Sequence, residues 1–357
     1  MTDNLFDRLA ELFQSSGPVN WRMGREIAES VAGTAEPVEP WLAEELQDLT
    51  ATAAMRIGDA SPLDATDAAS SVVVLDRRSW ASASVESFAY LAEPVADKLT
   101  GGGPLESALQ PLGPALIGLQ MGSLVGAMSQ RVLASFDAGL PVGEHPPVAF
   151  VAPNLETFAS DHDLDPRQAR LWVALHEVTH HAQFAMPWIR DHFAYLIDGF
   201  VDGLELDPEA IQRRMEAFQD PEELQRALQD PSGFTGLLAG DDQSAPLGAI
   251  QAFMAVLEGY GDRLVERAAP GLIPQAADIR GAIDRSREEP SQGEAMLGQL
   301  LGLDLDHGRY GRGGTFCAEV ARRWGDEALD RIWEGPEMLP TIDELDDQVG
   351  WAARVLL

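Results

Sequence analysis

The chain has 357 residues, 45% of them hydrophobic, enough to bury a large core in one big domain or two modest ones. Asp and Glu number 58 against 25 Lys and Arg, a formal charge of -33, and Lys98 is the only lysine. So acidic a surface offers no basic stripe to neutralise phosphates, which argues against a nucleic-acid partner. The lone Cys317 excludes an internal disulfide and a cysteine-rich metal cluster.

The same charge repels itself in dilute buffer and is screened in brine, which points to a halophilic source. The opening MTDNLFDRLAELF reads as an acidic amphipathic helix without the basic start and long apolar core of a signal peptide, so a cytoplasmic location is expected. Residues up to 60 read as helices with acidic outer faces, separated by turns near 16–18 and 34–40. A connector rich in Asp, Ala and Ser at 61–71 leads into the β-branched run VVVL at 72–75, a strand or the entry to the next helix. Helical patterning returns over 80–99 and is broken by Gly101, Gly102 and Gly103. Between Glu106 and Arg131 lie 24 uncharged residues. Gln110, Pro111, Pro114, Gln120 and Ser123 interrupt them, and the apolar runs fall short of the roughly 20 residues a membrane helix needs. A buried central helix is predicted there instead of a membrane span, with Gly118, Gly122 and Gly126 spaced by four to admit a close neighbour.

After a Pro/Gly-rich loop at 139–147, PVAFVAP at 147–153 is the best strand candidate. It reads either as a short buried strand or as an edge against which an extended peptide is held by strand addition. Residues 171–184, LWVALHEVTHHAQF, then carry His176, Glu177 and His180 in the order H-E-x-x-H. Asp165 suits an N-cap, Pro166 the first helical position and Gln168 a capping box. Leu171, Leu175, Val178 and Ala182 recur at helical spacing, and Pro187 marks the end. Residues four apart share a helix face, so His176 and His180 can offer their imidazoles to one Zn2+ ion. Glu177 is then the candidate general base, the role this pattern needs for metal-assisted hydrolysis. The structural alternative is a pair of core histidines bonded to backbone carbonyls.

The acidic stretch 202–244, interrupted by Pro208, Pro221, Pro231 and Gly240, reads as short helices and loops, a possible lid. A strong helical period resumes over 249–268, with Ile250, Phe253, Met254, Leu257 and Leu264 facing inward. Glu258 follows that apolar run, where an unpaired carboxylate is costly to bury and a metal would remove the cost; it is the expected third ligand. The alternative is a solvated glutamate at the stripe's edge. Asp262, four residues on, is placed to accept a hydrogen bond from the far nitrogen of a ligating histidine. Gly259 and Gly261 are tolerable if this helix closely approaches the histidine helix. His145, His162, His181 and His192 rank lower as ligands. Glycines at 301–314 surround His307, Arg309 and Tyr310, and Tyr310 on this presumed loop is the candidate for stabilising an oxyanion. The C-terminal part reads as two helices and a Pro-bounded turn, anchored by Trp324 and Trp333.

The blocks VVVLDRRSWASASVESF, GLQMGSLVGAMSQRVL, LWVALHEVTHHAQFAMPWIRDH, VLEGYGD and IWEGPEMLPT, spread from Val72 toward the C-terminus, resemble a family of prokaryotic proteins assigned as zinc-dependent metalloproteases. Some members are labelled as associated with biosynthesis of a deazaflavin coenzyme. The resemblance implies a zincin-like, mainly α fold (α+β with a small sheet), His176, His180 and Glu258 on zinc, and Glu177 as base. The expected layout is a helical N-terminal region over 1–145 and a catalytic region over 146–357, with a soft boundary in one compact unit. The expected function is a zinc-dependent hydrolase, foremost a metallopeptidase with a peptide or protein substrate. The alternatives are a non-catalytic zinc-containing scaffold and an amidase linked to coenzyme biosynthesis.

Overall fold

The computed structural model describes residues 17–100, 113–137, 146–203, 205–206, 238–239, 244–288 and 308–357, with side chains in the last stretch described from Gly311 onward. The expectations for the acidic N-terminal helix, the triple-glycine break, most of the 139–147 loop, His145, His307 and nearly all of the acidic 202–244 stretch fall outside these residues.

Helix α1 (Trp21–Ala32) starts at Asn20, whose side chain accepts the Met23 N–H at 3.0 Å and satisfies one orphan donor of the first turn. Helix α2 (Pro40–Ala60) carries Pro40 in its first turn and buries Leu42, Leu46, Leu49, Ala53 and Ile57 along one face. The β-branched run forms strand β1 (Val72–Leu75). Asp76 then caps α3 (Arg77–Ser84), accepting from the N–H groups of Ser79 at 2.8 Å and Glu36 at 2.7 Å. After a 3-10 turn comes α4 (Ala89–Thr100), followed by α5 (Gly113–Met128).

The α5 glycines face α1. A Cβ on Gly118 would lie 2.2 Å from the Asn20 carbonyl oxygen, and one on Gly122 would lie 2.3 Å from that of Gly24. Only a hydrogen at these positions lets the two backbones meet. The 24 uncharged residues are therefore largely explained by packing: no helix among the described residues is long and apolar enough to cross a membrane.

Strand β2 (Val148–Val151) pairs in parallel with β1, Val72 opposite Val148 and Leu75 opposite Val151. Its other edge is also taken. Ser135 N–H donates to Ala149 O and Val151 N–H to Leu133 O, both at 2.9 Å, around an antiparallel bridge between Ala134 and Phe150. With every residue of β2 buried and both edges paired, this strand is the short buried strand of the two sequence readings, and the substrate-edge reading is set aside.

Helix α6 (Ala152–Asp161) leads to α7 (Pro166–Phe184), the helix of the H-E-x-x-H pattern. Asp165 accepts the Gln168 N–H at 2.9 Å and Pro166 opens the helix as expected. The capping box does not close, however: the Asp165 N–H donates to Gln275 Oε1 and Gln168 Oε1 accepts the Gln275 N–H, both at 2.8 Å. The helix is buried on almost every face. It is packed by α2, α6, β2, α8 (Ile189–Asp202), α9 (Ser244–Ala268) and α10 (Ala276–Glu288). Between α8 and α9 a two-residue pair, β3 (Glu205–Leu206) and β4 (Leu238–Ala239), is antiparallel.

The glycine-rich stretch expected as a loop is helical from Gly308: it forms the start of α11 (Gly308–Trp324). Of its glycines, Gly313 serves packing. A Cβ on Gly313 would lie 1.8 Å from the Ala255 carbonyl oxygen, and one on Gly259 would lie 2.3 Å from the Gly313 carbonyl carbon. Gly259 thus admits α11, whereas Gly261 faces His180 of α7, with a Cβ there 3.6 Å from Nε2. The chain ends with α12 (Asp326–Leu329) and α13 (Gln348–Val355). Trp333 is buried and packs edge-on against Tyr260, but Trp324 is exposed. The fully buried anchor is Trp351, which donates to Met338 O at 2.8 Å and packs edge-on against Phe316.

Candidate metal centre

Two helices bring the candidate ligands together. His176 and His180 stand one turn apart on α7 with their Nε2 atoms 3.3 Å apart. From α9, Glu258 places Oε1 3.3 Å from His180 Nε2 and Oε2 3.7 Å from His176 Nε2. All three side chains are buried, and one donor atom from each lies within 4.8 Å of the others.

This spacing tests whether zinc fits. A tetrahedral zinc held at about 2.0–2.1 Å from nitrogen and oxygen sets neighbouring donors about 3.3 Å apart. The His176–His180 separation and that from His180 to Glu258 Oε1 equal that value, while His176 is approached by the other carboxylate oxygen, Oε2, at 3.7 Å. Two imidazoles and one carboxylate are also a donor set of the catalytic kind, three protein ligands with a coordination position to spare. The residues present fit the ion.

Glu177 is wholly buried beside this group, and both of its carboxylate oxygens face the Phe136 N–H, at 2.9 and 3.2 Å. Burial pushes its carboxyl well above the ordinary carboxylate range. The Phe136 N–H opposes that rise, and the negative charges of Asp137 and Glu258 add to it. The N–H is aimed by a chain of hydrogen bonds. Asn154 on α6 donates to Ser129 O at 2.9 Å and Val132 O at 2.7 Å, while its Oδ1 accepts from Arg77 Nε at 2.6 Å. Asp137 accepts the Leu133 N–H at 2.9 Å. Residues 133–136 are thereby held between β2 and α7.

The far nitrogen of His180 is engaged by Gln183: Nδ1 lies 2.7 Å from Oε1. At its other end Gln183 Nε2 donates to Leu257 O at 3.0 Å, next to Glu258 in the chain. Asp262, the residue expected to serve a ligand histidine, forms an ion pair with Arg280 Nη2 at 2.9 Å. Of the lower-ranked histidines, His181 turns its ring edge toward Phe136, His192 packs against Phe253 and Tyr195, and His162 packs on Phe158. The backbone of Tyr310 lies in the first turn of α11, and its side chain is outside the described residues. Gln183 was within reach of sequence reasoning, since three residues beyond His180 is a contact spacing on a helix. Phe136 was not, because it acts through its backbone.

Residues 19–352 match the family model described as zincin-like metallopeptidase. A crystal structure of a protein from Chloroflexus aurantiacus, described as "a putative hydrolase with a novel fold", superposes with a TM-score of 0.68 at 26% sequence identity, covering 94% of this chain and 98% of that one. No curated protein matches the chain.

Proposed function

The chain belongs to the zincin-like metallopeptidase family, and from that premise we propose that it is a zinc-dependent hydrolase of peptide bonds, with His176, His180 and Glu258 holding the ion and Glu177 acting as general base. The observation that supports this most directly is the set of donor separations across α7 and α9, which suit a tetrahedral zinc before any ion is added.

Zinc bound there supplies Lewis acidity, polarising a carbonyl and lowering the pKa of water to about 7. The chain supplies the proton traffic. Glu177 takes a proton from the attacking water at its carboxylate and returns it to the nitrogen of the departing amine. Burial raises the proton affinity of this carboxylate, and a dication held by the neighbouring ligands would act in the opposite direction. The Phe136 N–H holds that carboxylate in one orientation, so little reorganisation is needed at the moment of transfer.

The test is a digestion of a broad peptide library with and without chelator, run on the parent protein and on Glu177→Gln. The variant should keep its zinc and lose turnover by several orders of magnitude. A variant that cleaves as fast as the parent rejects Glu177 as base. A second reading, a zinc-holding scaffold without turnover, is favoured by burial: Glu177 and His180 are 0% exposed, Glu258 2% and His176 6%. A zinc-loaded parent that cleaves nothing in the library supports it.

A further inference from the structure

We propose that Gln183 is the positioning residue of the metal centre, setting the tautomer of His180 and tying the two ligand-bearing helices into the register that zinc requires. The proposal rests on the reading of His176, His180 and Glu258 as the ligands.

The hydrogen-bond chemistry forces the orientation of the Gln183 amide. Leu257 O can only accept, so the group 3.0 Å from it must be the amide nitrogen. The amide oxygen is then the atom 2.7 Å from His180 Nδ1, and an oxygen of this kind can only accept. Nδ1 must therefore carry a hydrogen. In the neutral ring this leaves the lone pair on Nε2, the nitrogen that faces His176 Nε2 and Glu258 Oε1. One side chain thus selects the ligating nitrogen without any ion being needed to do so.

The second half of the argument is mechanical. Gln183 is 0% exposed and begins on α7, three residues after His180. It ends on the α9 backbone at Leu257, the residue immediately before the third ligand. A shift of α9 along α7 would break that bond and, with it, change the 3.3 Å separation between His180 and Glu258. Gly261, facing His180 and Thr179 across the same interface, keeps the helices close enough for the amide to span them. A carboxylate in place of Gln183 could hold the His180 Nδ1–H equally well, but it could not donate to Leu257. The two tasks are therefore separable by substitution.

The experiment measures zinc affinity by competition with a chromophoric chelator, and melting of the zinc-free protein in chelator, for the parent, Gln183→Glu and Gln183→Met. Loss of a hydrogen-bond partner of a ligating histidine typically weakens metal binding by about 10–100-fold. That loss is expected for Gln183→Met, whereas Gln183→Glu, which keeps a partner for Nδ1–H but loses the Leu257 bond, should fall between Gln183→Met and the parent. Both zinc-free variants should melt below the parent. Parental affinity in Gln183→Glu together with parental melting of both variants overturns the bridging role. If Gln183→Met binds zinc as tightly as the parent, or Gln183→Glu binds as weakly as Gln183→Met, the tautomer role is overturned. In the zinc-loaded parent, nitrogen NMR of labelled histidine should show His180 with a slowly exchanging Nδ1–H and Nε2 on the metal. Coordination through Nδ1 overturns the proposal without any variant having to fold. A parent that binds no zinc removes the ligand assignment as well, whereas a parent that binds zinc through Nδ1 removes only the role of Gln183.

Discussion

Gly313 of α11 lies so close to Ala255 of α9 that a Cβ on the glycine would sit 1.8 Å from the alanine's carbonyl oxygen. The obstacle is backbone, so Gly313→Ala cannot be accommodated by turning a side chain; the helices must separate. Overpacking of this kind costs about 1–3 kcal/mol, and more where nothing can yield. Gly314, one residue on, has open space around its missing Cβ. There the helix preference of alanine over glycine should prevail, and Gly314→Ala should stabilise by up to about 1 kcal/mol. Opposite signs at adjacent glycines in urea denaturation are the expected result, and two variants that move together would refute the close crossing. Because α9 carries Glu258, Gly313→Ala should also weaken zinc binding.

A cap inside the N-terminal helices predicts an acid-sensitive contribution to stability. Burial works to raise the Asp76 carboxyl, but hydrogen bonds from Ser79 and the Glu36 N–H outweigh it, and the group sits below the ordinary carboxylate range. A depressed folded pKa stabilises above the unfolded value of about 3.9 and is lost as pH falls through the lower folded value. Asp76→Ala should cost roughly 1–2 kcal/mol at pH 7. The gap to the parent should narrow below about pH 4. A gap that stays constant from pH 7 to pH 3 would show that the charge of Asp76 contributes nothing.

What the sequence could reveal depended on whether a residue's role lies in its side chain or its backbone. The start of helix α7 was legible because Asp165 and Pro166 are capping residues and the apolar spacing is helical, whereas the side chain of Gln168 turned out to serve the distant Gln275 N–H. Glu258 was legible because a carboxylate after an apolar run calls for a partner. The glycines at 118, 122 and 126 announced a close neighbour, although only the structure shows it to be α1. Gly313 carries the same meaning but lies among Gly308, Gly311, Gly314 and polar residues, so local propensity suggested a loop and tertiary packing overrode it. The second edge of β2 was invisible, since residues 133–135 pair through backbone atoms that any side chain provides. Likewise nothing marked Trp351 for the core and Trp324 for the surface.

The charge of -33 predicts that stability rises with salt. Two opposing terms are present. Exposed Arg–Glu and Arg–Asp pairs such as Arg322–Glu319 and Arg331–Glu334 weaken on screening, but pairs of this kind contribute only about 0.2–1 kcal/mol each. Repulsion among the excess carboxylates acts over the whole surface, and raising ionic strength from about 0.1 M to 1 M shortens its reach from about 10 Å to 3 Å. Repulsion should therefore decide the sign, and the melting temperature should climb through molar potassium chloride. Equal melting temperatures in dilute and molar salt would exclude this.

Removal of the third ligand separates metal binding from folding. Glu258 is 2% exposed, and its two oxygens face the imidazoles of His176 and His180. Gln at this position keeps the shape and loses the charge, so the core should still assemble while the site loses the anion that offsets a dication. In the parent, a ligand that binds only the folded state stabilises by about 2.7 kcal/mol at a hundred times its Kd. Melting of the parent should accordingly rise with added zinc and fall back with chelator. Glu258→Gln should melt at one temperature in both, close to the chelated parent, because the zinc concentrations used no longer exceed its Kd. A variant that still gains stability from zinc to the same extent would place the ion elsewhere, since the two histidines alone cannot supply the same affinity.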